Sequence, residues 1–452
     1  MSPHARNFEG LAIPADFELG VATSSWQIEG DVAGRGVANW DEFAAIPGKV
    51  IDGATGEPAC DHVNRLEEDL DLLAWLGVDT YRFSISWPRV FPTGSGELST
   101  HGLDFYDRLV DGLLARDIKP VATLFHWDTP AEIEHEGGWS NRDTAYKFAD
   151  YTSAMAAHFG ERIGQWATLN EPWCSAFLGY CAGYFAPGRT EPGVSLEAAY
   201  NLILGHGLAV NAMREVGASN IGIVLNIVPC LAESTDMESE TEHIDGMQNR
   251  IFLDLLVGKG VTELTRDSCK ALTDWSFVKD EDNLVLATQI DWVGENYYTV
   301  NRIAPPGASK IVSSGQDTSM FPACPPVSFA PRGELTDMGW EVVPEGLLLA
   351  LQQINEWLPG VPQWICENGM ALPDGLKDPR RIDYLKAHIE QAIAARSQGI
   401  DVRGYFAWSL MDNLEWASGW TKKFGMIRVD LATGERTPKD SAHWYRELIA
   451  SR

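Results

Sequence analysis

Gln165-Trp166-Ala167-Thr168-Leu169-Asn170-Glu171-Pro172 is the stretch from which the architecture can be read. Trp166 to Leu169 form a short, mostly apolar run with β-type residues, the pattern of a strand covered on both faces. Pro172 has no N–H to give to a ladder, so the strand stops before it. Asn170 and Glu171 are left at its C-terminal end, half out of the core. Pro362-Gln363-Trp364-Ile365-Cys366-Glu367-Asn368-Gly369 has the same form. Two separate strands therefore deliver a glutamate to their C-terminal ends. If both belong to one closed parallel sheet, those ends gather on one face, where active sites of such sheets sit.

The rest of the chain supplies that sheet. Six further strand-like runs stand around the two: Phe17 to Ser24, Thr80 to Trp87, Pro120 to Trp127, Ile221 to Val228, Trp292 to Tyr298 and Arg403 to Leu410. Between them, apolar residues recur at helical spacing over Arg65–Leu76, Leu103–Ala115, Ala145–Phe159, Glu197–Val216 and Arg381–Ser397. Strand and helix alternating in this way predict a single (β/α)8 barrel domain over residues 1–452. A plain barrel needs roughly 250 residues, so the surplus is expected in long active-site loops. The longest candidate is Ile303 to Pro344, rich in Pro, Gly and Ser.

Composition bounds the partners. A net charge of −29 argues against nucleic acid, which needs a basic footprint, and against anionic membrane surfaces. Met1 to Gly10 lacks the apolar core of a signal peptide, and no run has the length of a membrane span. Seven cysteines, Cys60, Cys174, Cys181, Cys230, Cys269, Cys324 and Cys366, form no CxxC pair. An odd, scattered set suits free thiols in a reducing compartment, so a cytoplasmic location is expected.

Several motifs then converge. Thr168-Leu169-Asn170-Glu171-Pro172, Cys366-Glu367-Asn368-Gly369, Asn296-Tyr297-Tyr298 and Trp408-Ser409-Leu410-Met411-Asp412-Asn413-Leu414-Glu415-Trp416 together resemble family 1 glycoside hydrolases, the β-glucosidase family. The opening Phe17-Glu18-Leu19-Gly20-Val21-Ala22-Thr23-Ser24-Ser25-Trp26-Gln27-Ile28-Glu29-Gly30 fits the same family, and the likeness runs from about Phe17 to Tyr445. It implies a (β/α)8 fold, no cofactor, no metal and hydrolysis of terminal β-D-glucosyl residues with retention. The substrates it implies are β-linked oligosaccharides or aryl and alkyl β-glycosides.

The chemistry of retention needs one carboxyl to protonate the leaving oxygen and a second to attack the anomeric carbon. The resemblance makes Glu171 the acid/base and Glu367 the nucleophile. A like charge nearby should keep Glu171 protonated. Glu367 needs donors, and the resemblance supplies Arg82, Asn296 and Tyr298. By the same match Gln27, His126, Asn170, Glu415 and Trp416 bind the sugar hydroxyls, Asn170 at the 2-hydroxyl. Trp408 floors the ring, Trp127, Tyr298 and Phe424 wall the pocket, and Trp173 and Leu178 line the leaving-group side. Gln27 and Glu415, placed at the 4-hydroxyl, accept either epimer, which leaves β-D-galactosides and β-D-fucosides open.

Two departures stand out. Cys366 occupies a position where threonine is common, either as a small buried residue or as a site of sensitivity to thiol reagents. Leu414 replaces a usual phenylalanine. Three other readings fit less well. A 6-phospho-β-glycosidase would lack Glu415, whose charge should repel a phosphate, and would carry a tyrosine where Phe424 follows Lys422 and Lys423. A sugar-binding scaffold without activity would lack one of the carboxylates. A metal-dependent hydrolase would need clustered ligands, and His126-Trp127-Asp128 offers one histidine with no His-x-His partner.

Overall fold

The computed structural model describes residues 11–308 and 318–452. The reading of Met1 to Gly10 therefore lies outside the described residues. Eight parallel strands close into a barrel: β1 Glu18–Ala22, β2 Thr80–Ser84, β3 Lys119–Phe125, β4 Gln165–Asn170, β5 Ile221–Leu225, β6 Trp292–Asn296, β7 Gln363–Asn368 and β8 Val402–Trp408. Each coincides with one of the eight stretches read from the sequence, β3 and β8 beginning one residue earlier than read. Closure runs through β1 and β8, with Glu18 opposite Gly404 and Ala22 opposite Trp408.

Both decisive strands are buried along their whole length, β4 and β7 alike. This is why they read as continuous apolar runs rather than alternating ones. Inside the barrel Val121, Ala167, Val224, Trp292, Trp364 and Phe406 form one apolar cluster. A second, larger cluster fills the space between sheet and helices. The interior tryptophans fit because glycines face them. A Cβ on Gly222 would lie 2.6 Å from the Trp292 ring, and one on Gly404 would lie 2.8 Å from Trp364.

The helical spacing is borne out in α1 Leu66–Leu76, α2 Thr100–Leu114, α3 Asp143–Phe159, α4 Pro192–Glu215 and, before β8, α6 Pro379–Ser397, with α5 Pro344–Trp357 preceding β7. A last helix, α7 Asp440–Ala450, packs its buried Trp444, Tyr445 and Leu448 inward. The proposed loop Ile303–Pro344 needs correction at both ends. Ile303 belongs to a strand, Asn301–Ala304, that pairs with Cys230–Ala232 and Ser328–Phe329, and Pro344 opens α5. Proline is well placed there, since its missing N–H is one the first helical turn leaves unbonded anyway. The described part of the segment between them reaches the mouth of the barrel through Met320, Met338 and Trp340.

Candidate active site

At the C-terminal end of the barrel lies a cavity of about 700 Å³. β4 delivers Glu171 to it by a sharp turn. Glu171 has φ 46, in the left-handed region that side-chain-bearing residues seldom adopt. Its N–H still bonds Val224 O at 2.9 Å, so the last strand contact holds while the side chain swings inward. Trp127 leaves β3 in a similar way, with φ 75.

Arg82, on β2 and fully buried, organises the floor. Its Nη1 donates to Glu367 Oε1 at 2.8 Å and to the Cys366 carbonyl at 3.1 Å; its Nη2 donates to Asn170 Oδ1 at 2.5 Å; its Nε donates to Thr123 Oγ1 at 3.1 Å. A guanidinium only donates. Asn170 must therefore present its oxygen to Arg82 and its Nδ2 to His126 Nε2, 3.2 Å away. His126 is held far below the usual histidine range by burial and by Arg82, so it is neutral. With Nε2 accepting, its proton sits on Nδ1, a buried atom with no protein partner among the described residues. One arginine thus fixes an amide, a tautomer and the direction of a free donor.

The two glutamates have contrasting neighbours. Glu367 takes the Arg82 ion pair and the Tyr298 hydroxyl at 2.8 Å. Glu171 takes neutral donors: Asn296 Nδ2 at 2.6 Å on Oε1 and Cys174 Sγ at 3.0 Å on Oε2. Burial raises both above the ordinary carboxylate range. Glu171 is pushed to about 7, by burial first and the Glu367 charge second, against the pull of Cys174, Asn296 and Arg82. For Glu367 the leading pull downward is the Arg82 charge, followed by hydrogen bonds from Arg82, Tyr298 and Asn296. Glu367 is therefore the first of the pair to ionise. The like charge expected to hold the proton on Glu171 acts, second to burial. Asn296, expected to support Glu367, does so and also makes close hydrogen bonds to Glu171 and, at 3.0 Å, to Asn170 Oδ1.

A third carboxyl completes the pocket. Burial, then Glu367 and Glu171, lift Glu415 to about 8, and its Oε2 is buried without a protein partner among the described residues. Near pH 7 Glu415 is therefore largely neutral, and it repels a phosphate less than the expected full charge would. What disfavours a phosphate is the buried ring of Phe424 on the cavity wall and the capture of the Lys422 ammonium by the Asp337 carbonyl.

His126, Trp127, Asn296, Tyr298, Trp408, Glu415, Trp416 and Phe424 line the cavity with the two glutamates, and Trp173 and Leu178 line it farther out. Trp127 packs on Trp416 with centroids 4.5 Å apart and gives its Nε1–H to the Asn170 carbonyl. Trp408 lies nearly parallel to His126, 20° between planes. Gln27, Arg82 and Asn170 are not on the cavity wall but directly behind it. Gln27 accepts from Ser24 Oγ at 2.6 Å and donates to the Leu414 carbonyl at 2.8 Å, so most of its amide is already engaged. Leu414 is wholly buried, a packing residue. Cys366 is also wholly buried, beneath Gly294, and burial pushes its thiol to about 12. The small-residue reading holds for it.

The sequence reading missed Cys174, Asn226, Gln248, Thr299, Asn301 and Trp340, all on the cavity wall. Cys174 had a usable signal: it follows Glu171 by three residues across a proline-led turn, the spacing at which side chains meet on a helix. The others come from separate loops with no shared pattern. Among the described residues no group of three or more His, Cys, Asp or Glu side chains could hold a metal ion, and no helix is long and apolar enough to cross a membrane.

Residues 11–452 match the family described as glycosyl hydrolase family 1. The chain is 42% identical to a bifunctional β-D-glucosidase/β-D-fucosidase of Bifidobacterium breve, covering 97% of this chain and 98% of that one. It is 39% identical to β-glucosidase A of Thermotoga maritima, covering 96% and 97%. Among solved structures, the psychrophilic β-glucosidase BglU of Micrococcus antarcticus superposes with a TM-score of 0.94 at 38% identity, over 98% of both chains. The Thermotoga maritima β-glucosidase bound to noeuromycin gives 0.89 at 39% identity, over 97% and 98%.

Proposed function

The chain belongs to glycosyl hydrolase family 1, and we propose that it acts as a retaining β-glucosidase with Glu171 as acid/base and Glu367 as nucleophile. The observation that carries the roles is the asymmetry of the pair. Glu367 is bound to a guanidinium and a phenol, and Glu171 only to neutral donors in a buried setting. Two carboxyls whose surroundings push their titrations apart are what acid and nucleophile require.

In the first step an ionised Glu367 attacks the anomeric carbon, the glycosidic C–O bond breaks, and the Glu171 proton passes to the leaving oxygen. In the second, Glu171 takes a proton from water, the water oxygen bonds the anomeric carbon, and the Glu367 ester is released. His126 Nδ1–H and Glu415 Oε2, both unpartnered and buried, are suited to sugar hydroxyls, and an unpaired buried polar atom is costly unless a ligand satisfies it. Trp408 offers the apolar plate for the C–H face of the ring. Asn170 acts at the 2-hydroxyl and Gln27 at the 4-hydroxyl from behind the wall, Gln27 partly through Glu415. Trp416, Trp127 and Phe424 enclose the same ring, with Trp173 and Leu178 toward the leaving group. We place the whole activity in one barrel domain over 1–452, and in the cytoplasm, because the seven cysteines are all free.

A panel of aryl β-glycosides that differ only in the sugar tests this, with proton NMR of the first product. Cleavage of the β-glucoside, alone or with the galactoside and fucoside, with the β-anomer appearing first is expected. An α-anomer as first product would overturn the retaining pair, and inertness toward the β-glucoside would overturn the substrate.

A further inference from the structure

Glu171 has to carry a proton in one half of the proposed cycle and none in the other, and its two oxygens meet partners of different kinds. Oε1 accepts from Asn296 Nδ2 at 2.6 Å. That amide nitrogen also donates to Asn170 Oδ1, which the Arg82 guanidinium fixes as an acceptor. It can therefore only donate, and a proton on Oε1 directed at it would face another donor. Oε2 lies 3.0 Å from Cys174 Sγ. A thiol donates weakly and also accepts weakly. Cys174 is itself fixed, by its N–H to the Glu171 carbonyl at 3.0 Å, and Asn226 Nδ2 approaches the sulfur from behind at 3.9 Å.

We propose that Cys174 is a positioning residue for the acid/base, donating S–H to Oε2 when Glu171 is ionised and accepting the Oε2 proton when Glu171 is protonated. The contact reverses by rotation of the S–H about the Cβ–Sγ bond, and no bond to sulfur is made or broken. Burial and the neighbouring Glu171 raise the thiol far above its usual range, so it stays S–H throughout. The inference rests on the reading of Glu171 as acid/base. Its effect is to keep the acid proton on one oxygen without freezing the carboxyl in either state.

Other groups also act on Glu171: Arg82 from β2, Glu295 from β6, Tyr298 just beyond β6, Glu367 from β7 and Glu415 beyond β8. All of them remain when Cys174 is changed, so a difference between variants at that position isolates the thiol. The experiment is the pH dependence of kcat/KM on an alkyl β-glucoside, whose leaving group needs protonation, for the native enzyme, Cys174→Ala and Cys174→Ser. Removing the donor in Cys174→Ala should move the basic limb upward by about half a pH unit, the size expected for one weak hydrogen bond to a carboxylate. Cys174→Ser supplies a stronger hydroxyl donor and should move the same limb downward. The acidic limb, set by Glu367, should stay in place in both.

A residue that merely fills space would lower the rate without shifting the limb in opposite directions. Shifts in one direction, or none, would overturn the proposal. If Cys174→Ala does not fold, a downward shift in Cys174→Ser is still required. Glu171→Gln, assayed on an aryl β-glucoside whose good leaving group needs no acid, tests the reading of Glu171 by itself. It should abolish the basic limb altogether. A limb that survives in Glu171→Gln would sink the acid/base reading itself, whereas loss of the limb there with unmoved Cys174 variants would sink only the role of the thiol.

Discussion

Replacing Glu367 by glutamine should lower the titration midpoint of Glu171 without returning it to an ordinary value. In the folded protein Glu171 is lifted from 4.5 to about 7, with burial ahead of the Glu367 charge among the causes. The charge term can be bounded. A retaining pair stands about 5–5.5 Å apart, and two unit charges at that distance interact by about 3 kcal/mol at an effective dielectric of about 20. That is about two pH units. The donors Cys174, Asn296 and Arg82 offset part of the combined rise, which is how a larger burial effect and a charge effect of this size leave Glu171 at about 7. Glu367→Gln removes the charge effect and leaves burial in place. The midpoint should therefore fall by about one to two units and remain above 4.5. The sign follows from the raised value: less repulsion favours the ionised form, so the proton is lost at lower pH. Carbon-13 NMR of side-chain-labelled glutamate, assigned with Glu171→Gln, reads the midpoint in a variant that no longer turns over. A midpoint that stays at about 7 or rises would refute the part assigned to Glu367. A fall to 4.5 or below would refute the primacy of burial.

Removal of the Tyr298 hydroxyl takes a 2.8 Å donor from Glu367, so Tyr298→Phe should move the acidic limb of kcat/KM upward by about half to one unit, and a pH–rate profile with that limb unmoved would count against the contact. Glu415→Ala should cost about 5- to 150-fold in kcat/KM on β-glucosides, from about 0.5–1.5 kcal/mol for each of two hydrogen bonds to a carboxyl lifted to about 8, and initial-rate assays read the loss. Native enzyme should cleave the aryl β-glucoside in preference to its 6-phosphate, and a preference for the phosphate, in parallel initial-rate assays, would show that Phe424 and the engaged Lys422 do not exclude it. Added azide separates the glutamates: Glu171→Ala should give a β-glycosyl azide through two inversions and Glu367→Ala an α-glycosyl azide through one, so the reverse pairing by NMR would exchange the roles.

The strands were legible because a barrel strand buried on both faces has nowhere to place a polar residue until its end. β4 and β7 show this most plainly, since each runs apolar to a carboxylate and is then stopped, by Pro172 or by Gly369. α1 and α3 were legible for the complementary reason: each is long enough to show several turns of one apolar face. The crossover between β5 and β6 was not, because its long helix, 238–256, carries a π-helical turn at Gly246–Arg250 that shifts the phase of its apolar face, and the helices after it, Glu263–Cys269 and Asn283–Leu286, are short. A helix of two turns or fewer shows too little periodicity to be told from loop.

What stayed hidden in the site has a single physical origin. The residue types at Glu171, Glu367 and Glu415 are visible in the sequence, but their protonation depends on how much water the fold removes. Burial is the leading cause for all three carboxyls, and burial is a property of the closed barrel, not of any segment. The same holds for direction. Nothing in Asn170 or His126 states which way the amide points or which ring nitrogen holds the proton. Those follow only when β2 places Arg82 between β4 and β7, because a guanidinium that can only donate forces every partner in turn. The catalytic asymmetry is accordingly a relation among strands: one cation on β2 is spent on Glu367, and Glu171, left to a thiol and an amide, keeps its proton.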